Sequence, residues 1–214
     1  MLPGEPVPIR LMSTVWADTD GVHDDLRTQA DVDEWLDAVA LDRAGAHTTK
    51  AELAAARALR DAVRRLASHR TQDTRAAAAS ALSDLAAALD QVNQAAAELP
   101  GPRLTLRDGR LEAGTATSVS PVTAGLAQVA GQAIELLGGA DGARLRACYA
   151  PGCVLYFVKT HPRREWCSVA CGNRVRAARH YQRAREHHRP LLGTPTRCPC
   201  RPAPGCRRIR SSRT

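Results

Sequence analysis

The sequence predicts a mainly helical α+β protein, and three observations carry that expectation. Apolar residues recur at helical spacing through most of the first 140 positions, one Asp-Gly turn signal interrupts them, and four cysteines form two close pairs further on. Residues 1–138 are expected to form a helical domain with a small β-hairpin, and residues 139–143 a linker. A small cysteine-bearing module with a basic helix follows at 144–189, and a basic Pro/Arg-rich tail, expected to be disordered, occupies 190–214.

Val32, Trp35, Leu36 and Val39 predict an amphipathic helix over 31–41, capped by Thr28 or Asp31. Leu53, Ala56, Leu59, Val63 and Leu66 predict a longer one over 49–69, capped by Thr48 or Thr49. Its arginines 57, 60, 64 and 65 fall outside the apolar stripe and are expected in solvent. An alanine-rich helix over 71–99 carries Leu82, Leu85, Leu89 and Val92 and stops at Pro100-Gly101-Pro102. Asp108-Gly109 then joins Arg103–Arg107 to Arg110–Ala113 as a β-hairpin, because that dipeptide supplies the left-handed conformations of a two-residue turn. A last body helix starts at Pro121, follows Val122, Leu126, Val129 and Ile134, and ends at Leu137 before Gly138-Gly139.

The cysteine pairs are Cys148/Cys153 and Cys167/Cys171, separated by Val154–Trp166. Each pair can converge on one ion from a tight turn, which suits tetrahedral thiolate coordination of zinc. Disulfides would need an oxidising compartment, and Met1–Arg10 lacks the cationic start and apolar run of an export signal. A redox pair is disfavoured by the four- and three-residue spacings outside any βαβ pattern. Residues 144–189 are therefore expected to be a zinc-binding finger with one structural ion. Four thiolates leave no open position for water, so no catalytic residue is assigned and a non-enzyme is expected. Phe157 and Trp166 would cover the metal. Zinc removal is expected to unfold the finger and spare the helical domain.

Charge divides the chain along the same line. Residues 144–214 hold 17 Arg and Lys against Glu165 and Glu186, a charge of +15, which leaves −7 for residues 1–143 out of the whole chain's +8. A basic end on an acidic body fits a polyanion partner, duplex DNA first. Helical numbering after Cys171 puts Arg176, Arg179, His180, Arg183 and His187 on one side, and Val175, Ala178 and Tyr181 on another. Arg163, Arg164, Asn173, Arg174, Arg176, Arg179 and Arg183 are the candidate nucleic-acid contacts, since guanidinium forks grip phosphate oxygens or guanine edges. Asn173 could equally bond the turn after the last cysteine.

Other polar clusters carry less. The four aspartates and His23 of Trp16–Asp25 read as a loop that satisfies backbone donors rather than as a catalytic pair. His47 and His69 read as solvated residues, and His161 as part of an exposed loop. Cys198, Cys200 and Cys206 lack a fourth ligand for a second zinc site.

Arg144–Cys148, Cys153–Phe157 and Arg164–Cys171-Gly-Asn-Arg174, followed by Val-Arg-Ala-Ala-Arg-His-Tyr, resemble the CGNR zinc finger over about 45 residues. Residues 1 to about 130 resemble the ABATE domain, linked to stress-induced transcription regulation. Ser13-Thr-Val15 and Asp25–Leu36 carry that likeness, with Ser13 where the family usually has asparagine. The resemblance implies zinc ligation by Cys148, Cys153, Cys167 and Cys171, and a DNA-binding role. The resulting expectation is a cytoplasmic, nucleoid-associated transcriptional regulator of bacterial type, with no membrane partner. Its N-terminal domain would sense a small molecule or form a homodimer. The competing readings are an RNA-binding or ribosome-associated module and an N-terminal enzyme using Asp18–Asp25.

Overall fold

The computed structural model describes residues 2–115 and 119–187. The expectations placed on the tail, including Cys198, Cys200 and Cys206, lie outside the described residues. Among the described residues, those up to Ala178 form one compact unit, and the last turns of the final helix, from Arg179, belong to another.

The chain opens with α1 (Val7–Met12), a six-residue helix that the sequence pattern did not indicate. Six residues give too little periodicity to read, yet Ile9, Leu11 and Met12 are almost fully buried. Prolines at its start suit the first helical turn, where no backbone N–H is needed. The Trp16–Asp25 segment, expected as a loop, is a short antiparallel hairpin of β1 (Val15–Ala17) and β2 (Val22–Asp24). Its aspartates do serve local donors. Asp18 accepts from the Asp20 N–H and from His23, both at 2.8 Å, and Asp24 accepts from the Leu26 N–H at 2.9 Å.

Helix α2 (Gln29–Ala38) starts at Thr28 and α3 (Lys50–Thr71) at Thr49, each through a capping box closed by Asp31 or Glu52. Their apolar faces are as expected, but two of the α3 arginines are not in solvent. Arg60 and Arg64 are 4% and 2% exposed. Arg60 reaches Asp24 at 2.6 Å and Asp61 at 3.0 Å, tying α3 to β2. Arg64 donates to the carbonyls of Met12 and Val154 at 3.0 and 3.3 Å and lies over the Tyr156 ring. Position on a helical wheel cannot reveal a cation that meets backbone carbonyls from three other segments, here at Met12, Ala78 and Val154.

The helix expected over 71–99 is shorter, α4 (Leu85–Ala97), and begins after Asp84, whose carboxylate caps the Ala87 N–H. Alanine favours helix, but tertiary contacts override it between 72 and 84. Gln72 takes a left-handed conformation at φ 55° and ends α3. Ser80 then bonds the Asp61 carbonyl at 2.6 Å, and Arg65 holds the Ser83 carbonyl at 2.6 Å. Leu89 and Ile134, assigned to apolar stripes, are exposed at 49% and 43%.

Strands β3 (Pro102–Arg107) and β4 (Arg110–Thr115) pair in the expected register around Asp108 and Gly109, whose φ values are 48° and 77°. Every residue of both strands is exposed. Helix α5 (Pro121–Gly138) follows and packs with α3 and α4, while α1 packs on α3 and α5. The expected linker is a tight 3-10 turn, Ala140–Arg144. A Cβ at Gly142 would sit 2.6 Å from the Leu137 carbonyl oxygen, so the turn accepts no side chain there. Strands β5 (Leu145–Ala147) and β6 (Tyr156–Val158) pair antiparallel, and helix α6 (Val169–His187) ends the described chain. Leu145, Tyr156, Phe157 and Val158 belong to the same hydrophobic core as Ile9, Leu59 and Val63. The finger therefore shares its core with the helical body.

Candidate metal centre and basic helix

Cys148 follows β5 directly, and Cys153 closes the next turn through its N–H to the Ala150 carbonyl at 2.9 Å. The Cys148 N–H bonds the Leu155 carbonyl at 2.9 Å, so the β5–β6 pairing itself sets the spacing of the first two sulfurs. Cys167 precedes α6 and Cys171 lies in its first turn, where the Ser168 hydroxyl accepts the Cys171 N–H at 3.2 Å. All four cysteines are buried, and their Sγ atoms lie within 4.8 Å of one another. Cys153 to Cys167 is 3.8 Å and Cys167 to Cys171 is 3.4 Å. Ligands at about 2.3 Å in a tetrahedron around zinc stand about 3.8 Å apart, so the four sulfurs fit one ion. Zinc here is structural.

The sulfurs also need a cation. Hydrogen bonds from the Cys153 and Cys167 thiols favour a thiolate at Cys148, and the bond to that sulfur pushes the Cys153 thiol up to about 12. Cys167 is pushed up as well by its bonds to both neighbours. Four buried thiolates at this separation coexist only around a metal. Two donors support the anionic sulfurs from outside the tetrahedron. The Cys167 N–H points at Cys148 Sγ over 3.5 Å, and the Arg174 guanidinium donates to Cys171 Sγ at 3.0 Å.

The helical body holds the same cluster through its backbone. One Arg75 nitrogen donates to the carbonyls of Cys148 and Cys153, at 2.8 and 2.6 Å. Its other nitrogens grip Asp73 at 2.8 and 2.7 Å, and the guanidinium stacks 4.4 Å from the Tyr149 ring centre. Arg64 takes the Val154 carbonyl from beneath. Glu5, which is also buried, accepts the Val158 N–H at 3.0 Å and pairs with Arg164 at 2.5 Å. Glu5, Asp73 and Arg75 were not singled out from the sequence, and Arg64 was expected in solvent rather than at this cluster. The only local trace was an Asp-Thr-Arg step in an alanine-rich stretch.

The candidate nucleic-acid residues separate into three groups. Arg164 is engaged inside the protein: besides Glu5 it donates to the carbonyls of Val158 and Cys167 at 3.1 and 2.9 Å, and it covers the Phe157 ring at 4.9 Å. Arg174 is turned to Cys171, and Asn173 accepts from Arg176 rather than bonding the turn before it. Arg163, Arg179 and Arg183 are exposed, as are Arg176 and His180. After Val175, no residue of α6 whose side chain is described is buried.

Comparison with known families agrees with this layout. The sequence profile of ABATE, described as "Putative stress-induced transcription regulator", matches residues 5–140. The chain belongs to the ABATE family. Residues 144–184 match the CGNR zinc finger, so this ABATE protein carries its four zinc cysteines in a recognised finger. A search of curated proteins matched none of them. Family and finger together support a regulator-like role for the ABATE protein. Among the described residues no helix is long and apolar enough to cross a membrane.

Proposed function

We propose that this ABATE protein is a DNA-binding transcriptional regulator in which zinc fixes the start of α6 and the exposed arginines of that helix contact duplex DNA. One observation carries the reading. The helix grows directly from the metal cluster, and beyond Val175 it presents Arg176, Arg179, His180 and Arg183 on one exposed side with no acidic residue among them. Arg163 adds charge from the loop before Cys167. Arg174 and Arg164 act one step back, supporting a sulfur and the finger backbone.

Duplex binding measured by fluorescence anisotropy at several salt concentrations tests the proposal. Each phosphate contact contributes about 0.9 to the slope of log affinity against log salt. The double variant Arg179→Ala/Arg183→Ala is expected to lower the slope by about 2 while keeping its zinc. Affinity for RNA that exceeds affinity for duplex DNA at every salt concentration would replace this reading with an RNA-binding one. Asp18, Asp20 and Asp25 are exposed and Asp24 is paired with Arg60, while Asp18 and Asp24 also serve local backbone donors, which gives no support to an enzymatic reading.

A further inference from the structure

We propose that the compact unit up to Ala178 carries a nucleic-acid surface of its own, running from the start of α6 across the β5–β6 sheet to the end of α3, where a second cationic seat holds the phosphate backbone of duplex DNA. The inference rests on the DNA-binding reading above and adds to it residues that lie outside the basic helix.

A depression of about 590 Å³ opens beside β5 and β6, lined by Arg70 at the end of α3, Arg146 on β5, Lys159 just after β6, and the exposed ring of Tyr149. A second one, of about 380 Å³, lies at the start of α6 and is lined by Arg163, Trp166 and Arg176. Both linings contain Arg164 and Glu165, so the two depressions adjoin. Their joint surface carries five cations besides Arg164, which is paired with Glu5, and Glu165 is the single carboxylate in either lining.

The two arginines of the first depression are held rather than loosely solvated. Arg146 donates from one nitrogen to the carbonyls of Ala143 and Leu145 at 2.8 and 2.7 Å, and Arg70 donates to the Gly142 carbonyl at 3.2 Å. A guanidinium fixed on one edge loses less freedom when its other edge meets a phosphate. Tyr149 is itself positioned by Arg75 stacked on its ring. The breadth and openness of the joined surface suit a polymer backbone better than a small enclosed anion. Acidic residues are rare there although the body as a whole is acidic, so the charge is placed and not averaged.

The test uses the full chain loaded with zinc, a labelled duplex and a salt series. Arg146→Ala/Lys159→Ala is expected to lower the salt slope by about 2, as two phosphate contacts are lost. Glu165→Gln is expected to tighten binding several-fold, a gain that a merely structural role would not give. Zinc content and thermal unfolding must match the parent. Because Arg146 also braces the turn before β5, Lys159→Glu alone provides the check if the double variant is destabilised, with a larger loss than Lys159→Ala. An unchanged slope and an unchanged affinity for Glu165→Gln, alongside weakened binding by Arg179→Ala/Arg183→Ala, would sink the second seat and leave the α6 reading standing. If the parent protein shows no salt-dependent duplex binding, both fall together.

Discussion

Arg75 joins the metal centre to the helical body through carbonyl oxygens rather than through the metal, and two measurable effects follow. Its truncation leaves the buried Asp73 carboxylate without its cation and the Cys148 and Cys153 carbonyls without their donor. Breaking a buried pair from one side costs about 3–5 kcal/mol, so Arg75→Ala should show that loss in denaturant unfolding. Arg174→Ala should act on the metal instead, weakening zinc affinity by about 10- to 100-fold in competition with a chromophoric chelator, because a donor to the Cys171 thiolate is lost. Asp73 sets a pH dependence. Burial acts to raise its pKa, but the hydrogen bonds and charge of Arg75, together with the Tyr156 hydroxyl, hold it below the ordinary carboxylate value. A carboxylate depressed in the folded state stabilises at neutral pH, and that contribution fades as pH falls through the ordinary value towards the depressed one. Asp73→Asn should therefore flatten the acid side of the stability curve, read by unfolding at fixed zinc.

At the scale of elements, local chemistry and tertiary constraint part company in a readable way. Thr28 and Thr49 cap their helices as side chains of that type should, and Thr49→Ala should cost about 1 kcal/mol in chemical unfolding. The Asp108-Gly109 hairpin formed because its turn needs only two residues in the left-handed region. Its strands touch solvent along their whole length, so Gly109→Val should loosen amide protection in β3 and β4 without lowering the melting temperature of the core. Helix α4 shows the opposite balance. Leu82 to Leu99 looked continuous with the alanines before it, and the break before Leu85 came from Ser80 and Ser83 being held by α3. No local pattern encodes a partner that is 18 or 19 residues away. The short helix α1 escaped notice for a related reason, since its burial against α3 and α5 matters more than its own periodicity.

For the molecule as a whole, the shared core changes what zinc should do. The sequence divides into an acidic body and a basic finger, and loss of metal was expected to unfold only the second. Tyr156, Phe157 and Val158 instead lie in one core with α1 and α3, and Glu5, Arg64 and Arg75 reach the finger backbone. Chelation should therefore lower the stability of both parts in one cooperative transition, seen as coincident loss of helical ellipticity and core fluorescence. Two separate transitions would show that the contacts contribute little. The sequence by itself determined the four zinc cysteines, the hairpin turn and the run of arginines after Cys171, and narrowed the caps of α2 and α3 to two residues each, because each depends on residue type at short spacing. Only the tertiary structure decided which arginines are structural and which face outward. Arg64, Arg75 and Arg164 meet carbonyls and carboxylates contributed by distant segments, and charge alone cannot distinguish such a guanidinium from one that awaits a phosphate.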